Sequence, residues 1–259
     1  MSSSRLKNAA QASAAARIEE SVFTPATRRV AELAERYANR DGVGLLRPLI
    51  EREFAGRLAI VSSFGTESAV ILAQVAEIDR DTPILFLDTG KLFSETLRYR
   101  DHLVTHLGLR DVRTIAADSE RLDAADPESM LWLSDPDFCC ALRKVEPLAA
   151  ALSGFDAWVS GRKRYQGGAR AALPVFEPDD AGRIKVNPLA NWPKSRVEAE
   201  FTRHGLPRHP LEAQGYLSIG CITCTDRVHS GEDPRAGRWR DLPKTECGIH
   251  VANRRRTAS

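Results

Sequence analysis

Four of the five cysteines in the chain are arranged as two close pairs. Cys139 and Cys140 are adjacent, whereas Cys221 and Cys224 are separated by two residues. Two close pairs that lie far apart in sequence are typical of a four-thiolate metal site that folding brings together. The alternative, buried thiols or a disulfide pair, requires two clustered pairs to arise by chance in a chain with few cysteines.

The spacing within each pair bears on which metal would bind. A Cys-x-x-Cys sequence places two sulfurs on one side of a turn, which suits zinc and an iron–sulfur cluster equally. Adjacent cysteines suit zinc less well than an iron–sulfur cluster. Neighbouring side chains diverge, whereas zinc needs four sulfurs that converge on one ion. A cubane cluster presents a separate iron to each sulfur over a larger body. The residue spacing therefore favours one [4Fe–4S] cluster per subunit.

The fifth cysteine, Cys247, stands apart from both pairs in the sequence Glu-Cys-Gly-Ile-His near the C-terminus. A cysteine left over from two pairs is a candidate reactive thiol. A nucleophilic thiol must be ionised near neutral pH, and neighbouring positive charges favour that state. His250 could supply such a charge, although a capping or structural role for this histidine is equally consistent with its position.

Two loops after apolar runs carry residue types that suit a phosphate. The run Leu58–Ser62 predicts a buried strand, which opens into Ser62-Ser-Phe-Gly-Thr-Glu-Ser68 and then a helix over 69–77. A helix N-terminus favours an anion, but small polar residues also serve as plain helix caps. The loop lacks the Gly-Lys-Ser/Thr of a Walker loop. A second predicted strand, Pro83–Asp88, ends in Asp-Thr-Gly, so both loops fall at the carboxyl edge of the sheet, where ligands bind.

Alternating strands and helices continue along the chain and predict an α/β fold with a mostly parallel sheet flanked by helices. Further strands are predicted near 111–116, 157–160 and 184–188, and helices at 30–37, 45–54, 94–107, 141–152 and after 191. The predicted strand at 157–160 leads into Gly161-Arg-Lys-Arg-Tyr-Gln-Gly-Gly-Ala-Arg170. Its four cations are either a clamp for phosphate or sulfate or an exposed basic loop.

Composition excludes several classes of function. With 42% hydrophobic and 28% charged residues, the 259-residue chain can form a substantial core. The net charge of +2 is too small to indicate nucleic-acid binding, and the basic run at 254–256 is typical of a solvated terminus. No apolar stretch approaches the length of a membrane span, and the Ala- and Ser-rich residues 1–20 lack a secretory signal. Few, clustered cysteines then favour the reducing cytoplasm.

Seven motifs, taken in order, resemble the assimilatory, thioredoxin-dependent adenylyl-sulfate reductases. They are Ser-Ser-Phe-Gly-Thr-Glu-Ser from residue 62, Leu-Asp-Thr-Gly from 87, Cys-Cys-x-x-Arg-Lys-x-x-Pro-Leu from 139, Gly-Arg-Lys-Arg-x-Gln from 161, Ser-Ile-Gly-Cys-x-x-Cys-Thr from 218, Arg-Ala-Gly-Arg-Trp from 235 and Glu-Cys-Gly-Ile-His from 246. Two departures concern local packing: Ile222-Thr223 stand where the family usually has a proline, and Arg240 follows Trp239 where a further aromatic is common.

The resemblance implies an adenine nucleotide alpha-hydrolase-like fold with a mobile C-terminal segment. The implied divisions are an N-terminal helical region at 1–55, a nucleotide-binding α/β domain at 56–215 and a C-terminal segment at 216–259 with the second cysteine pair and the catalytic cysteine. The four paired cysteines would ligate one [4Fe–4S] cluster. Lys144, one helical turn from Cys140, would reach both a cluster thiolate and the substrate anion. The implied substrate-binding residues are Ser62, Ser63, Phe64, Gly65, Thr66, Glu67, Leu87, Asp88, Thr89, Gly90, Arg162, Arg164, Gln166, Arg235 and Arg238.

The resemblance also implies the reaction and its partners. The Cys247 thiolate would attack the sulfur of adenylyl sulfate, AMP would leave, and a thiol of reduced thioredoxin or glutaredoxin would release sulfite from the cysteine S-sulfonate, as in sulfate assimilation and cysteine biosynthesis. Lys144 and His250 are the accompanying catalytic candidates. The sequence leaves the oligomeric state open, including a homo-oligomer.

Three alternatives remain at the level of sequence. A 3′-phosphoadenylyl-sulfate reductase, or an enzyme of dual specificity, is the nearest, although relatives with that substrate generally lack the cluster cysteines. An ATP-pyrophosphatase-like ligase or sulfur transferase would need Ser-Gly-Gly-x-Asp-Ser, which the loop at 62–68 does not match. A non-catalytic iron–sulfur sensor would give no reason for Cys247 in its motif.

Overall fold

The computed structural model describes residues 24–242 and 244–251. Within these ranges six strands form one sheet in the order β3-β2-β1-β4-β6-β5. The strands are β1 (Leu58–Ser62), β2 (Ile84–Asp88), β3 (Val112–Ala116), β4 (Ala157–Ser160), β5 (Phe176–Pro178) and β6 (Ile184–Val186). All neighbouring pairs are parallel except β5 with β6. The predicted mostly parallel α/β fold is therefore confirmed, and the short antiparallel edge strand β5 is an element that the sequence pattern did not indicate.

The central strands are apolar because both faces of the sheet are covered. Along β1, Ile60 faces the larger core, which contains Phe86 and most of the helical side chains, while Ala59 and Val61 face a smaller core with Trp158. Successive side chains on a strand point to opposite faces, so a strand buried on both sides becomes a continuous apolar run. The edge strand β3 lacks this burial.

Helices cover the sheet at positions close to those predicted. They are α1 (Pro25–Arg36), α2 (Gly42–Pro48, continued by a π-turn over Leu49–Glu53), α3 (Ser68–Ile78), α4 (Ser94–Leu107), α5 (Ser119–Ala125), α6 (Leu131–Ser134), α7 (Pro136–Cys140), α8 (Glu146–Ala151) and α9 (Lys194–Arg203). None of the helices within 24–242 and 244–251 is long and apolar enough to cross a membrane. The Ala- and Ser-rich lead-in at 1–20 and the basic run at 254–256 lie outside the described residues, and the proposed division at 55 and 215 stays a prediction.

The vicinal cysteines do not begin a helix, as the sequence indicated, but end one. Asp135 caps α7 by accepting the N–H of Phe138, and Cys139 and Cys140 form the last turn of α7. A π-turn over Ala141–Val145 then joins α7 to α8. Pro147, in the first turn of α8, has no N–H to donate to the preceding turn, which accounts for the locally altered hydrogen bonding.

The strand order places a crevice between β1 and β4. On one side of β1 lie β2 and then β3, and on its other side lie β4 and then β6. In open α/β sheets, ligands bind beyond the carboxyl ends of the strands at the point where the order reverses. The loop at 62–68 follows β1 and the loop at 161–170 follows β4, so the two predicted anion-binding loops flank this point.

Candidate active site

A cavity of about 230 Å³ lies at this switch point. Predicted site residues from six separate parts of the chain line it: Ser62, Ser63, Gly65, Thr66, Glu67, Leu87, Thr89, Lys144, Arg162, Gln166, Arg235, Arg238, Cys247 and His250. Phe64, Asp88, Gly90 and Arg164 do not line it. Folding therefore brings the strand-end loops and the C-terminal cysteine to one place, although they are far apart in sequence.

The loop after β1 is anchored to the core by a buried aromatic side chain. Phe64 has a φ of +48°, a backbone region that bulky residues rarely adopt. Its ring is fully buried and packs edge-to-face on Phe86, with the ring centroids 5.4 Å apart. The Phe64 ring thus supports the loop from the core side, and its predicted part in substrate binding stays a prediction. The loop also contacts the C-terminal segment, because the Thr66 hydroxyl donates to the carbonyl of Leu217 at 3.2 Å.

Glu67, just before α3, ties the two strand-end loops together. Its carboxylate accepts hydrogen bonds from Lys163 Nζ at 2.8 Å, Tyr165 Oη at 2.5 Å and Gln166 Nε2 at 3.0 Å. Burial by itself would raise the pKa of Glu67, but Lys163 and the two neutral donors outweigh burial and lower it. The carboxylate is therefore ionised, and it neutralises a lysine that is almost fully buried.

The cations of the basic stretch after β4 point in different directions. Arg162 lines the cavity, and its guanidinium contacts Ser160, Glu177 and Asn187. Arg164 turns away, and its Nε donates to the carbonyl of Leu173 at 2.8 Å. Arg170, at the end of the stretch, lines the cavity in its place. The alternative of a simple exposed basic loop does not describe this region.

Two further arginines reach the cavity from the C-terminal segment. Arg238 Nε donates to the carbonyl of Cys224 at 3.1 Å, and its guanidinium lies over the ring of Trp239. The guanidinium also lies against the backbone of Gly220, where an added Cβ would come within 2.3 Å of Nη2. Gly220, in the Ser-Ile-Gly-Cys motif, therefore leaves the space that Arg238 occupies. Arg235 donates to the carbonyl of Thr245 and to Glu246.

The two cysteine pairs lie close to one another beside the cavity. Cys221 forms an isolated bridge with Leu92, and the N–H of Ile222 donates to the carbonyl of Lys91, so the second pair docks beside the loop that follows β2. Burial raises the pKa of the Cys139 thiol, and the thiols of Cys221 and Cys224 act on it in the same direction. The fold has thus brought together the thiols of residues 139–140 and 221–224.

The surroundings of these thiols suit a negatively charged, sulfur-rich group. Arg143 is buried, its Nη2 pairs with Asp126 at 2.7 Å, and its Nε has no hydrogen-bond partner among the described residues. The Thr89 hydroxyl lies 3.2 Å from the sulfur of Cys221. A buried donor without an acceptor is costly, and a sulfur ligand beside Cys139 would supply one. In the part of the chain that the structure describes, no three His, Cys, Asp or Glu side chains converge closely enough to hold a single metal ion.

Cys247 lies between the cysteine pairs and the cavity. The pKa of its thiol is well below the ordinary value, first because of a hydrogen bond with Cys140 and then because of the charge on Lys144. Desolvation opposes the charge on Lys144, but the sulfurs of Cys247, Cys221 and Cys140 outweigh it and raise the lysine pKa. Lys144 is therefore a cation that lines the cavity and interacts electrostatically with Cys140, Cys221 and Cys247.

His250 is held as a neutral ring rather than as a source of positive charge. Burial lowers its pKa well below the ordinary value, and the nearby arginines and Lys185 act in the same direction. The ring stacks on Trp158 with centroids 6.2 Å apart, and Nδ1 has no partner among the described residues. Charge that stabilises a Cys247 thiolate therefore comes from Lys144 and the arginines.

Several cavity residues were not among the catalytic and substrate-binding residues predicted from the sequence, although Lys163 and Arg170 belong to the four cations considered as an anion clamp. They are Lys163, Tyr165, Arg170, Glu198, Arg208, Glu212, Trp239 and Glu246. Two of them carried a usable signal, because Arg170 ends the basic stretch and Glu246 precedes the reactive cysteine. Their pairing across 76 positions of sequence has no local signature.

Comparison with known proteins identifies the family. Residues 57–227 match the family model of the phosphoadenosine phosphosulfate reductase domain. The adenosine 5′-phosphosulfate reductase of Mesorhizobium japonicum is 52% identical over 81% of this chain and 84% of its own length. The enzyme of that name from Mycolicibacterium smegmatis is 38% identical over 89% of this chain and 99% of its own.

Structural similarity leads to the same family. A crystal structure of phosphoadenylyl-sulfate reductase from Candida auris, in complex with phosphate, matches with a TM-score of 0.65 and 25% identity. The match covers 80% of this chain and 99% of the other. The chain belongs to the phosphoadenosine phosphosulfate reductase family.

Proposed function

We propose that this protein reduces adenylyl sulfate to sulfite and AMP in sulfate assimilation, with a dithiol protein such as thioredoxin or glutaredoxin as reductant. The observation that carries the proposal is the position of Cys247, which shares one cavity with the phosphate-type loop at 62–68 and with Lys144, Arg235 and Arg238. Relatives that are named adenosine 5′-phosphosulfate reductases support the choice of nucleotide. A cytoplasmic setting would supply the reduced dithiol.

The nucleotide would lie across the ends of β1 and β2. The N-terminus of α3 and the Ser62–Ser68 loop would hold the phosphate through backbone N–H groups and hydroxyls. Leu87 and Thr89 would lie against the adenosine. Arg235, Arg238 and Arg162 would surround the phosphosulfate, where their charges shield the anionic substrate from the anionic thiolate.

In the first step the Cys247 thiolate attacks the sulfur of the sulfonyl group. A sulfur–sulfur bond forms as the sulfur–oxygen bond to phosphate breaks, and AMP leaves with the electron pair. In the second step a reductant thiolate attacks Cys247 Sγ, and sulfite leaves with the electrons of the sulfur–sulfur bond. The second thiol of the reductant then resolves the mixed disulfide, so the dithiol supplies both electrons and Cys247 returns to the thiol.

We further propose that Cys139, Cys140, Cys221 and Cys224 hold one [4Fe–4S] cluster. The donor set of four thiols, the unpartnered Nε of Arg143 and the Thr89 hydroxyl beside Cys221 fit such a group. When bound, the cluster would fasten the two cysteine segments together and add electrostatic tuning beside the cavity. Lys144 would then orient the substrate anion and favour the Cys247 thiolate.

The test is sulfite release by anaerobically purified protein with reduced thioredoxin. We expect release from adenylyl sulfate in the native protein and none in Cys247→Ser, which should still bind AMP. As a control, native protein added to the Cys247→Ser sample should restore sulfite release, so that inhibition by the sample itself is excluded. Turnover by the variant alone would refute the assignment of the nucleophile.

The second candidate substrate is 3′-phosphoadenylyl sulfate. It is favoured by the match to the Candida auris enzyme, which is named a phosphoadenylyl-sulfate reductase. The four paired cysteines favour the unphosphorylated nucleotide instead. Parallel assays with both nucleotides decide between the two, and faster release from the phosphorylated form would keep the role of Cys247 while changing the substrate.

A further inference from the structure

Glu246, directly before the reactive cysteine, is a buried carboxylate whose two oxygens are both engaged. Its Oε2 accepts from Arg170 Nε at 2.5 Å, and its Oε1 accepts from Arg170 Nη2 at 2.8 Å and from Arg235 Nη2 at 3.3 Å. The side chain of Glu246 is only 6% exposed. Bidentate pairs with arginine fix orientation as well as distance, so this contact defines where the end of the chain lies.

The same carboxylate orients Cys247 itself. Oε1 of Glu246 accepts the backbone N–H of Cys247 at 2.9 Å. On the other side of the cysteine, Gly248 packs so closely that an added Cβ would lie 3.1 Å from Val145 and 3.4 Å from Cys140 Cβ. The thiol-bearing residue is thus fixed from one side by a charge contact and from the other by a close backbone approach.

Arg170 connects this contact to the nucleotide loop. Its Nη1 donates to Gln166 Oε1 at 2.5 Å, and Gln166 Nε2 donates to Glu67 Oε2 at 3.0 Å. The guanidinium of Arg170 therefore has a fixed position relative to the loop after β1. Through Arg170, Glu246 places the tail in register with the loop that would hold the nucleotide phosphate.

Few apolar contacts hold this tail. Of the described residues after Glu246, Ile249 packs against the smaller core and the His250 ring stacks on Trp158, while Val251 is exposed. Burial of Glu246 opposes its charge, but Arg170 and Arg235 outweigh burial and lower its pKa to about 2. A buried carboxylate that loses its partners is strongly unfavourable, so the paired state of Glu246 is the docked state of the tail.

We propose that Glu246 is a positioning residue for the proposed reaction, which docks the tail on Arg170 and Arg235 and so holds Cys247 at the cavity. The inference rests on the proposed function for its kinetic consequence, but the docking itself can be measured without turnover. Glu246 acts through the position of Cys247 and has no contact with the reacting atoms.

The experiment compares cluster-loaded, full-length native protein with Glu246→Gln. Cys247 is alkylated with iodoacetamide, and the rate is followed by mass spectrometry on the tryptic peptide spanning 245–254, which contains no other cysteine. A matched control is Glu232→Gln, since Glu232 also pairs with an arginine of the same segment, Arg240, but at the surface. Melting temperatures of all three proteins show whether the fold is retained.

We expect Glu246→Gln to be alkylated at Cys247 at least about tenfold faster than the native protein, because a buried charge contact has been removed. Its kcat for sulfite release should fall by a similar factor without weaker AMP binding, and Glu232→Gln should match the native protein in every assay. Equal alkylation rates would overturn the inference, as would faster alkylation with unchanged kcat. If the native protein releases no sulfite, the proposed function fails, and the alkylation rates alone then decide whether Glu246 docks the tail.

Discussion

The two walls of the cavity are held in place by different forces. One wall consists of the loops after β1 and β4, which continue directly from strands that are buried on both faces of the sheet. The opposite wall, formed by residues 216–242 and 244–251, is built from short turns and isolated bridges that are joined by ion pairs and hydrogen bonds. The first wall draws on apolar burial, the dominant stabilising term in folding, whereas polar contacts exchange readily with water.

This difference matches what each wall must do in the proposed reaction. The wall formed by the loops after β1 and β4, here called the nucleotide wall, has to present the same hydrogen-bond donors in every catalytic cycle. Rigid attachment to the sheet keeps those donors in place. The C-terminal wall has to hold Cys247 against the substrate and later present the S-sulfonate to a protein reductant. When this wall leaves the cavity, its charged groups can exchange their protein partners for water, which an apolar core cannot do, so damage to the two walls should have different consequences.

The largest effect is expected at Lys144, between the two walls. Lys144→Ala removes the cation that lines the cavity and stabilises the Cys247 thiolate electrostatically, so kcat for sulfite release should fall by about 10²- to 10³-fold. Iron content and melting temperature should stay close to native values. Metal analysis measures the iron content, thermal unfolding gives the melting temperature, and anaerobic kinetics gives kcat. Unchanged turnover would remove Lys144 from the mechanism.

A substitution in the nucleotide wall should affect stability instead. Lys163→Met leaves Glu67 without its buried partner, and the free energy of unfolding should fall by about 3 kcal/mol. The matched control is Arg57→Met, which breaks an exposed pair with Asp156 and should change the free energy of unfolding much less, because water screens that pair. Denaturant titration of the three proteins gives the comparison. Equal losses for the two variants would contradict the claim that burial makes the Lys163 pair important.

A smaller effect is expected from the close approach at Gly248. A Cβ at this position would crowd Val145 and Cys140, so Gly248→Ala should displace the tail and lower kcat by about tenfold, with unchanged AMP binding and melting temperature. Gly154→Ala is the control, because an added Cβ there meets no atom within 4 Å. Native kcat in Gly248→Ala would show that the tail tolerates displacement at this point.

The last effect depends on pH and concerns His209, in the segment that joins the walls. Burial of His209 lowers its pKa from 6.5 to about 4, with Glu95 opposing, and its Nδ1 accepts the N–H of Leu211. The unfolded chain binds this proton below pH 6.5 and the folded protein only below about 4. Stability should therefore decrease as pH falls from 6.5 to 4, by up to about 3 kcal/mol from this group. The variant His209→Gln should lack that part of the pH dependence. If the native protein and the variant lose stability equally between pH 6.5 and 4, His209 does not contribute to it.

The fold could be predicted from the sequence where burial imposes a pattern. The apolar runs of β1 and β2 and the amphipathic helices such as α4 are local, and their bounds agree with the structure within a residue or two. The three-residue strand β5 is too short to show a period, and the π-turn after Cys140 depends on hydrogen bonding that no sequence pattern specifies. Both escaped prediction for these physical reasons.

The site was predictable in its motifs but not in its contacts. Lys144, Cys247 and the residues of the loop at 62–68 other than Phe64 line the cavity. The Phe64 ring is buried and Arg164 Nε donates to the carbonyl of Leu173, so neither lines the cavity, and their predicted part in substrate binding stays a prediction. Which arginine of a basic stretch faces a ligand depends on the local backbone, so spacing alone could not distinguish Arg164 from Arg170.

The most direct test of the account is to look for the intermediate on Cys247. Native protein is incubated anaerobically with adenylyl sulfate and no reductant, and the peptide spanning 245–254 is then analysed by mass spectrometry. We predict one sulfonate group on Cys247, formed together with one equivalent of AMP and released as sulfite when thioredoxin is added. An unmodified peptide from protein that still yields sulfite with reductant would contradict a reaction through Cys247.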